Sequence, residues 1–322
     1  MYKNKNKKMH QNPHQKNSHT PVMLEEVLSY VKPQKGERYL DSTAGYGGHA
    51  QAILDLTKNL DQSVLVDRDA VAIKQLSSLF NGSGIQILHQ DYLSAGRELL
   101  QAKRTFDIIF ADLGVSSPHL NEVSRGFSFA KAAPLDMRMD QRQSTTAADI
   151  INNSSEKQLA DILRHYGEEP RHRQIASIIV KNRPVLSTTE LADLVRKAWP
   201  GHSRIHPATR TFMAIRIAVN DELVQLSEAL PIWLKLLAPG GRIAVISFHS
   251  LEDRVVKQFF AGESGNRYDA VLTLLTKHPV APGPHETANN PRSRSAKLRV
   301  AAKQKRKGTA NANSGKKQLP GI

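Results

Sequence analysis

The 322-residue chain contains no cysteine. That absence excludes a disulfide framework, a thiolate-ligated zinc or iron–sulfur centre, and any reaction that proceeds through an enzyme thiol adduct. Aromatic residues are scarce, at 6%. No apolar run approaches the ~20 residues that a membrane-crossing helix needs, and the basic amino terminus lacks the apolar stretch of a signal peptide. A soluble, cytoplasmic protein is the expectation. Acidic residues are missing from both ends: residues 1–19 hold five lysines and no acid, and the segment after Glu286 holds ten basic residues and no acid. The formal net charge of +15 is thereby confined to the ends, and the stretch between them balances 30 basic against 30 acidic residues. Rich in Asn, Gln, Gly and Ser, the ends read as disordered basic arms, 1–18 and 301–322, that lie along a polyanion and add salt-sensitive affinity.

Between the arms, short apolar runs alternate with helical periodicity. Arg38–Ser42, Ser63–Asp67, Ile85–Leu88 and Phe106–Asp112 read as strands, separated by helix-period stretches such as Val71, Ile73, Leu76 and Leu79. This pattern predicts an α/β fold with a parallel sheet and right-handed crossovers. A fifth strand, Arg242–Phe248, follows the turn Leu237-Ala-Pro-Gly-Gly241, about 130 residues after the fourth. One crossover needs only ~10 to 30 residues, so a second unit is inserted there. The insert reads as helices: Ser155 with Gln158 forms a capping box, Ile175, Ile178 and Ile179 mark a second helix, and Thr189 opens a third. A single long fourth helix is expected after His206-Pro207, carrying Phe212, Ile215, Val219, Leu223 and Leu226. The predicted organisation is a core in two parts, 19–118 and 217–300, around a helical, mildly basic insert at 119–216 that shapes a substrate site.

The loop Asp41-Ser-Thr-Ala-Gly45-Tyr-Gly47-Gly48-His49-Ala50 joins the first strand to the first helix. Its glycines permit tight turning and close approach of a nucleotide-like ligand. Asp67 ends the second strand 20 residues after Gly47, a reach suited to accepting from ribose hydroxyls. Read literally the glycine pattern also fits a nicotinamide dinucleotide, so the loop alone leaves NAD and S-adenosylmethionine (SAM) open. Asp41, beside the loop, is placed to hold a cationic amino-acid moiety, and His89-Gln-Asp91-Tyr92 to read and stack on an adenine. With the Leu-x-Pro-Gly-Gly turn, these features resemble the class I, Rossmann-like SAM-dependent methyltransferases. Asp112 then lies where the target meets the methyl group, within Ala111-Asp112-Leu-Gly114-Val-Ser116-Ser117-Pro118. The Asp/Asn-Pro-Pro-Tyr signature of many amine methylases is absent there.

Several longer blocks carry a more specific resemblance: His19-Thr-Pro-Val-Met-Leu-Glu-Glu-Val, Gly45-Tyr-Gly-Gly-His49, Asp112–Pro118, Arg125-Gly-Phe-Ser-Phe129, Pro134–Asp140, His206–Phe212, Ser247–Arg254 and Asn290–Ala296. Over roughly residues 19–300 the chain resembles the bacterial RsmH (MraW) family, the 16S rRNA cytosine-N4 methyltransferases. The resemblance implies transfer of a methyl from SAM to the exocyclic amine of one cytidine in the decoding centre, near the P site, within the assembled small subunit. It also implies cofactor contacts at Gly47, Gly48, His49, Asp67, Tyr92, Asp112 and His119, with Tyr92 standing where the family commonly has Phe and His119 where it has Gln. Asp112 is the expected catalytic acceptor of an amine hydrogen, and Arg210, Arg292 and Arg294 are expected to touch RNA phosphate. No metal is expected. Asp136, Arg138 and Asp140 read as a cluster that orders the cap. Two rivals remain at this level: an NAD-type oxidoreductase and a non-catalytic ribosome assembly factor.

Overall fold

The computed structural model describes residues 21–115, 120, 122–199, 206–265 and 268–305. The amino-terminal arm, residues 306–322 of the tail, and His119 lie outside the described residues. The strands are β1 (Tyr39–Asp41), β2 (Val64–Asp67), β3 (Gln86–His89), β4 (Phe106–Asp112), β5 (Leu237–Ser247), β6 (Leu272–Leu274) and β7 (Lys297–Lys303). Among the described residues they form one seven-stranded sheet in the order β3-β2-β1-β4-β5-β7-β6. β1 to β5 run parallel, and β7 is antiparallel to both its neighbours. Parallel strands carry helices on both faces and so read as continuous apolar runs rather than alternating ones. Ile108, Ile109 and Phe110 of β4 are accordingly fully buried, as are Ala244 and Ile246 of β5.

Helices α1 (Leu24–Val31), α2 (Gly48–Thr57) and α3 (Ala70–Leu79) supply one covering layer. The other comes from α4 (Tyr92–Gln101), α10 (Glu222–Leu236) and α11 (Ser250–Gly262), packed round Trp233, Phe106 and Phe260. Between β4 and α10 lies the insert, with α5 (Ala147–Asn153), α6 (Glu156–Gly167), α7 (His172–Lys181), α8 (Thr188–Lys197) and α9 (Ala208–Asn220). Its starts are marked as the sequence suggests: Thr146 with Asp149 and Ser155 with Gln158 form capping boxes, and the Ser187 side chain accepts from Glu190 N–H. The insert has its own apolar centre, in which Leu159, Leu163, Ile175, Ile179, Leu191 and Ile215 are fully buried. No helix among the described residues is long and apolar enough to cross a membrane.

Three features differ from the sequence reading. The expected long helix after Pro207 is two helices, because Asp221 takes a left-handed conformation (φ 50°, ψ 33°) that ends α9 and begins α10. Apolar spacing continues across the break, so periodicity alone conceals it. The stretch Leu237–Gly241 is a bulge inside β5, opposite Phe106–Ile108, rather than a turn before it. Finally, β6 and β7 complete the sheet from a region that reads as basic and polar. In β7 the charges are used by the core: Arg299 pairs with Asp253 (2.6 Å), and Lys303 Nζ donates to Leu234 and Leu237 carbonyls (2.8 and 2.6 Å). β7 thus runs three residues beyond position 300, and α9 four beyond 216.

The exposed Asp221 makes no side-chain cap bond, so its backbone geometry can be tested in isolation. A β-branched residue resists the left-handed region by roughly 1–2 kcal/mol. Asp221→Val is expected to lower the unfolding free energy by about that amount, while Asp221→Gly leaves it unchanged or raises it, as chemical denaturation will show.

Candidate active site

The sheet order reverses between β1 and β4, so the loops leaving their carboxyl ends diverge and open a crevice. A cavity of roughly 580 Å³ lies there, a volume typical of nucleoside-sized ligands. Its first wall is the loop after β1. Ser42 N–H donates to Phe110 O (2.9 Å) and Ala44 N–H to Val66 O (2.8 Å), tying the loop to both neighbouring strands. The loop then needs glycine where the helix begins. Gly47 has φ 83°, and a Cβ on it would lie 2.8 Å from Leu79. A Cβ on Gly48 would lie 2.6 Å from Pro21.

Gly48, His49, Asp67, Tyr92, Asp112 and Arg292 line this one cavity. Gly47 does not; it stands behind the wall against α3. Arg210 is exposed on α9, donating to Glu168 O at 3.4 Å, and Arg294 is exposed on the 3-10 turn Pro291–Ser295, neither of them lining the cavity. Asp67 accepts from Gly45 N–H and Asp69 N–H (2.8 Å each), so the carboxylate is locked across to the glycine loop. Tyr92 is buried with its ring 5.4 Å from that of Trp233, and its hydroxyl donates to Glu222 O at 3.3 Å. Burial pushes the Tyr92 phenol up beyond the usual range.

Two acids assigned to ligand contacts by sequence serve the fold instead. Asp41 is 1% exposed and does not line the cavity. It accepts from Tyr39 OH (2.7 Å) and Thr43 N–H (3.1 Å), bracing the loop. Asp91 caps α4, accepting from Leu93 and Ser94 N–H (3.0 and 2.8 Å), and leaves the neighbouring Gln90 on the cavity. Asp136 and Arg138 pair with each other, as do Asp140 and Arg142, whose guanidinium reaches His89 O at 3.2 Å. The second pair holds the cap against β3, while the Arg138 guanidinium donates to Asp136 and to the Gln141 and Gln143 carbonyls of its own segment.

Asp112 ends β4 facing the cavity. Its N–H donates to Thr43 Oγ1 (2.6 Å), and its Oδ1 is buried without a hydrogen-bond partner among the described residues. Burial, with the charge of nearby Asp41 and Glu252, raises its pKa well above the ordinary carboxylate value. Its Oδ2 lies 3.8 Å from His49 Nδ1. The other ring nitrogen of His49 sits 2.9 Å from Val22 O, which can only accept, so the ring proton is on Nε2.

Sequence reasoning missed the acids opposite Asp112. Glu222 and Glu252 line the cavity from α10 and α11. Arg216 of α9 clamps Glu222 with two bonds (2.8 and 2.9 Å). Glu252 accepts from Phe248 N–H (2.8 Å) and His249 N–H (3.3 Å), while its own N–H donates to His249 Nδ1 (3.3 Å). Glu222, His249 and Glu252 bring one donor atom each within 4.8 Å of one another, a spacing compatible with a cation. Here the Glu222 carboxylate is taken by Arg216, and His249 Nδ1 accepts from Glu252 N–H, so the ring's proton sits on Nε2, 3.2 Å from Glu252 Oε1. The available signal was His249 and Glu252 at a three-residue spacing, which in sequence resembles only a helix cap.

Burial raises Asp41 to a pKa of about 7 against the Tyr39 and Thr43 hydrogen bonds, with Asp67 adding to the rise. The native state therefore keeps a proton that the unfolded chain releases near pH 4, and stability is lost as pH rises from about 4 to about 7. Asp41→Asn removes that loss. Its stability relative to wild type is expected to climb through this window, by roughly 2–4 kcal/mol in all, as denaturant titrations at pH 5 and pH 8 will show.

Known proteins resemble this chain over most of its length. A protein called ribosomal RNA small subunit methyltransferase H from Cyanothece sp. is 47% identical over 287 residues, covering 88% of this chain and 94% of its own. Proteins of the same name from Trichormus variabilis and Syntrophotalea carbinolica are each 48% identical, covering 89% and 88% of this chain and 92% and 96% of theirs. An rRNA methylase structure from Streptococcus thermophilus aligns over 88% of this chain and 95% of its own, at 12% identity and a TM-score of 0.40. The model of the MraW methylase family matches residues 16–304, nearly the whole chain, and the protein belongs to that family.

Proposed function

We propose that this protein is a SAM-dependent methyltransferase of small-subunit 16S rRNA, acting in the cytoplasm on the exocyclic N4 of one decoding-centre cytidine, near the P site of the assembled subunit. The observation that carries the reading is one cavity that holds both the locked Asp67 and an Asp112 Oδ1 without a hydrogen-bond partner among the described residues. The first is the carboxylate a ribose diol needs at the end of β2. The second is a buried acceptor that an incoming N–H would satisfy. The names borne by the relatives supply the substrate class.

The residues fit the cofactor: the bare wall at Gly45 and Gly48, Asp67 for the ribose, Tyr92 for the adenine face, and His49 beside Asp112. Held there, SAM would supply an electrophilic methyl on a sulfonium, the carbon–sulfur electron pair remaining on a neutral thioether when the amine takes the methyl. Cytosine N4 is a poor nucleophile because its lone pair is delocalised into the ring. Asp112 Oδ1 accepts one N–H as the nitrogen pyramidalises, an interaction stronger in the transition state than in the ground state. No covalent enzyme intermediate is needed. Arg292 at the cavity rim, with Arg294 and Arg210 further out, contacts phosphate.

Small subunits from cells lacking this enzyme, incubated with purified protein and methyl-labelled SAM, are expected to yield N4-methylcytidine on digestion to nucleosides and mass analysis. Label in any other nucleoside would refute the assignment. Asp112→Asn keeps the shape and loses the charge, so turnover is expected to fall by about 100-fold. The acid limb of the wild-type pH–rate profile, displaced upward by the burial of Asp112, is expected to vanish in that variant. Arg292→Ala and Arg294→Ala are each expected to reduce the salt dependence of subunit binding by about one unit of slope.

A further inference from the structure

A cytosine amine brings two hydrogens into the cavity, and Asp112 accounts for one. We propose that Glu252 is a second base-contacting carboxylate, which accepts the other N4 hydrogen and takes the proton released after methyl transfer. The inference rests on the reading of the site just given.

Glu252 lines the same cavity as Asp112, from the first turn of α11, and is 2% exposed. Its carboxylate is held through Oε2, which accepts from Phe248 and His249 N–H (2.8 and 3.3 Å). Oε1 lies 3.2 Å from His249 Nε2 but forms no hydrogen bond with it. Its lone pairs are open to a donor, so Oε1 can take an N–H without rearrangement.

Two carboxylates beside one amine would repel unless their charges were managed separately. Burial pushes the Glu252 carboxyl up, but the His249 ring, the Arg216 guanidinium and Phe248 N–H outweigh it and keep the pKa below its ordinary value. Asp112 is driven in the opposite direction. Such divergence within one site separates an acceptor that is ionised before transfer from a group that titrates. A weak base suffices for the proton, because an N4 nitrogen that has gained a methyl is positively charged and strongly acidic. The N–H bond facing Glu252 breaks, its electron pair returns to nitrogen, and the proton binds Oε1. The neutral N4-methylcytosine leaves, and water then removes the proton from Glu252.

The same pair of acids explains the choice of base. Uracil presents a carbonyl oxygen where cytosine presents an amine, and two carboxylates reject it by repulsion. In Glu252→Gln the amide oxygen still accepts from Phe248 and His249, while its NH₂ donates where Oε1 accepted. Single-turnover methylation of small subunits by this variant is expected to fall about 100-fold, with SAM affinity by calorimetry unchanged and the acid limb set by Asp112 retained. The decisive readout is binding preference between subunits carrying cytidine and subunits carrying uridine at the mapped position. Glu252→Gln is expected to narrow that preference about tenfold. Full turnover by the variant, or slowed turnover with the preference intact, would overturn the proposal. Should Glu252→Gln fail to fold, Glu252→Asp, which keeps the charge, is expected to lose rate and retain the preference; loss of the preference would overturn it equally. If wild type methylates some other atom, the functional reading fails first, and the two failures are distinguishable.

Discussion

The guanidinium of Arg216 is the constraint on which the cavity depends. Three acids, Asp112, Glu222 and Glu252, face one cavity in the interior of the protein. Desolvated like charges at such proximity would drive the site apart or force it to take up protons. Arg216 forms a two-pronged bond with Glu222 and lowers the Glu252 pKa through space. It comes from α9, inside the insert, and so the helical unit does more than roof a methyltransferase core. It delivers a counter-charge that, with the His249 ring, holds the Glu252 carboxyl below its ordinary range.

That dependence explains how firmly the insert is fastened. Arg125, almost wholly buried, lies 3.6 Å from Asp69 at the start of α3 and donates to the Arg138 and Met139 carbonyls. Within the insert, Asn220 donates to Met137 O and accepts from Met139 N–H (2.8 Å each), tying the end of α9 to the segment that Arg125 holds. On the far side Glu168 accepts from Ser250 and Arg254 of α11 (2.8 and 2.9 Å). The first two are buried and consequential; the third is exposed, where ion pairs contribute little. Attachment is thus strongest beside the cavity, where an error in the placement of Arg216 would matter most.

The parallel core was legible because buried strands are apolar runs of fixed length, and the gap before Arg242 exposed the insert by arithmetic alone. Gly48, Asp67, Tyr92 and Asp112 were found because loops at the carboxyl ends of successive strands converge by topology, so their spacing along the chain carries spatial meaning. Asp41 and Asp91 shared that spacing yet turned away, since an acid beside a loop or at a helix start has backbone N–H groups nearer than any ligand. Glu222 and Glu252 stayed hidden because their only local signal is that of a helix start: the cavity they share with Asp112 joins residues more than a hundred positions apart, and Arg216 reaches it only through Glu222. β7 was masked by its own lysines and arginines, whose partners at Asp253, Leu234 and Leu237 lie far back in the chain.

The pairing of β4 with β5 also sets an order of events during synthesis. These neighbouring strands are separated by 124 residues, positions 113–236. A ribosome adding about 5–20 residues per second needs roughly 6–25 s to cross that interval. Until then β4, apolar on both faces, offers a free edge of the kind that recruits other chains. The insert, with an apolar centre of its own, emerges in the meantime and can fold before β5 arrives. A unit that later delivers a charge to the active site would first serve, on the nascent chain, as cover for an unfinished sheet.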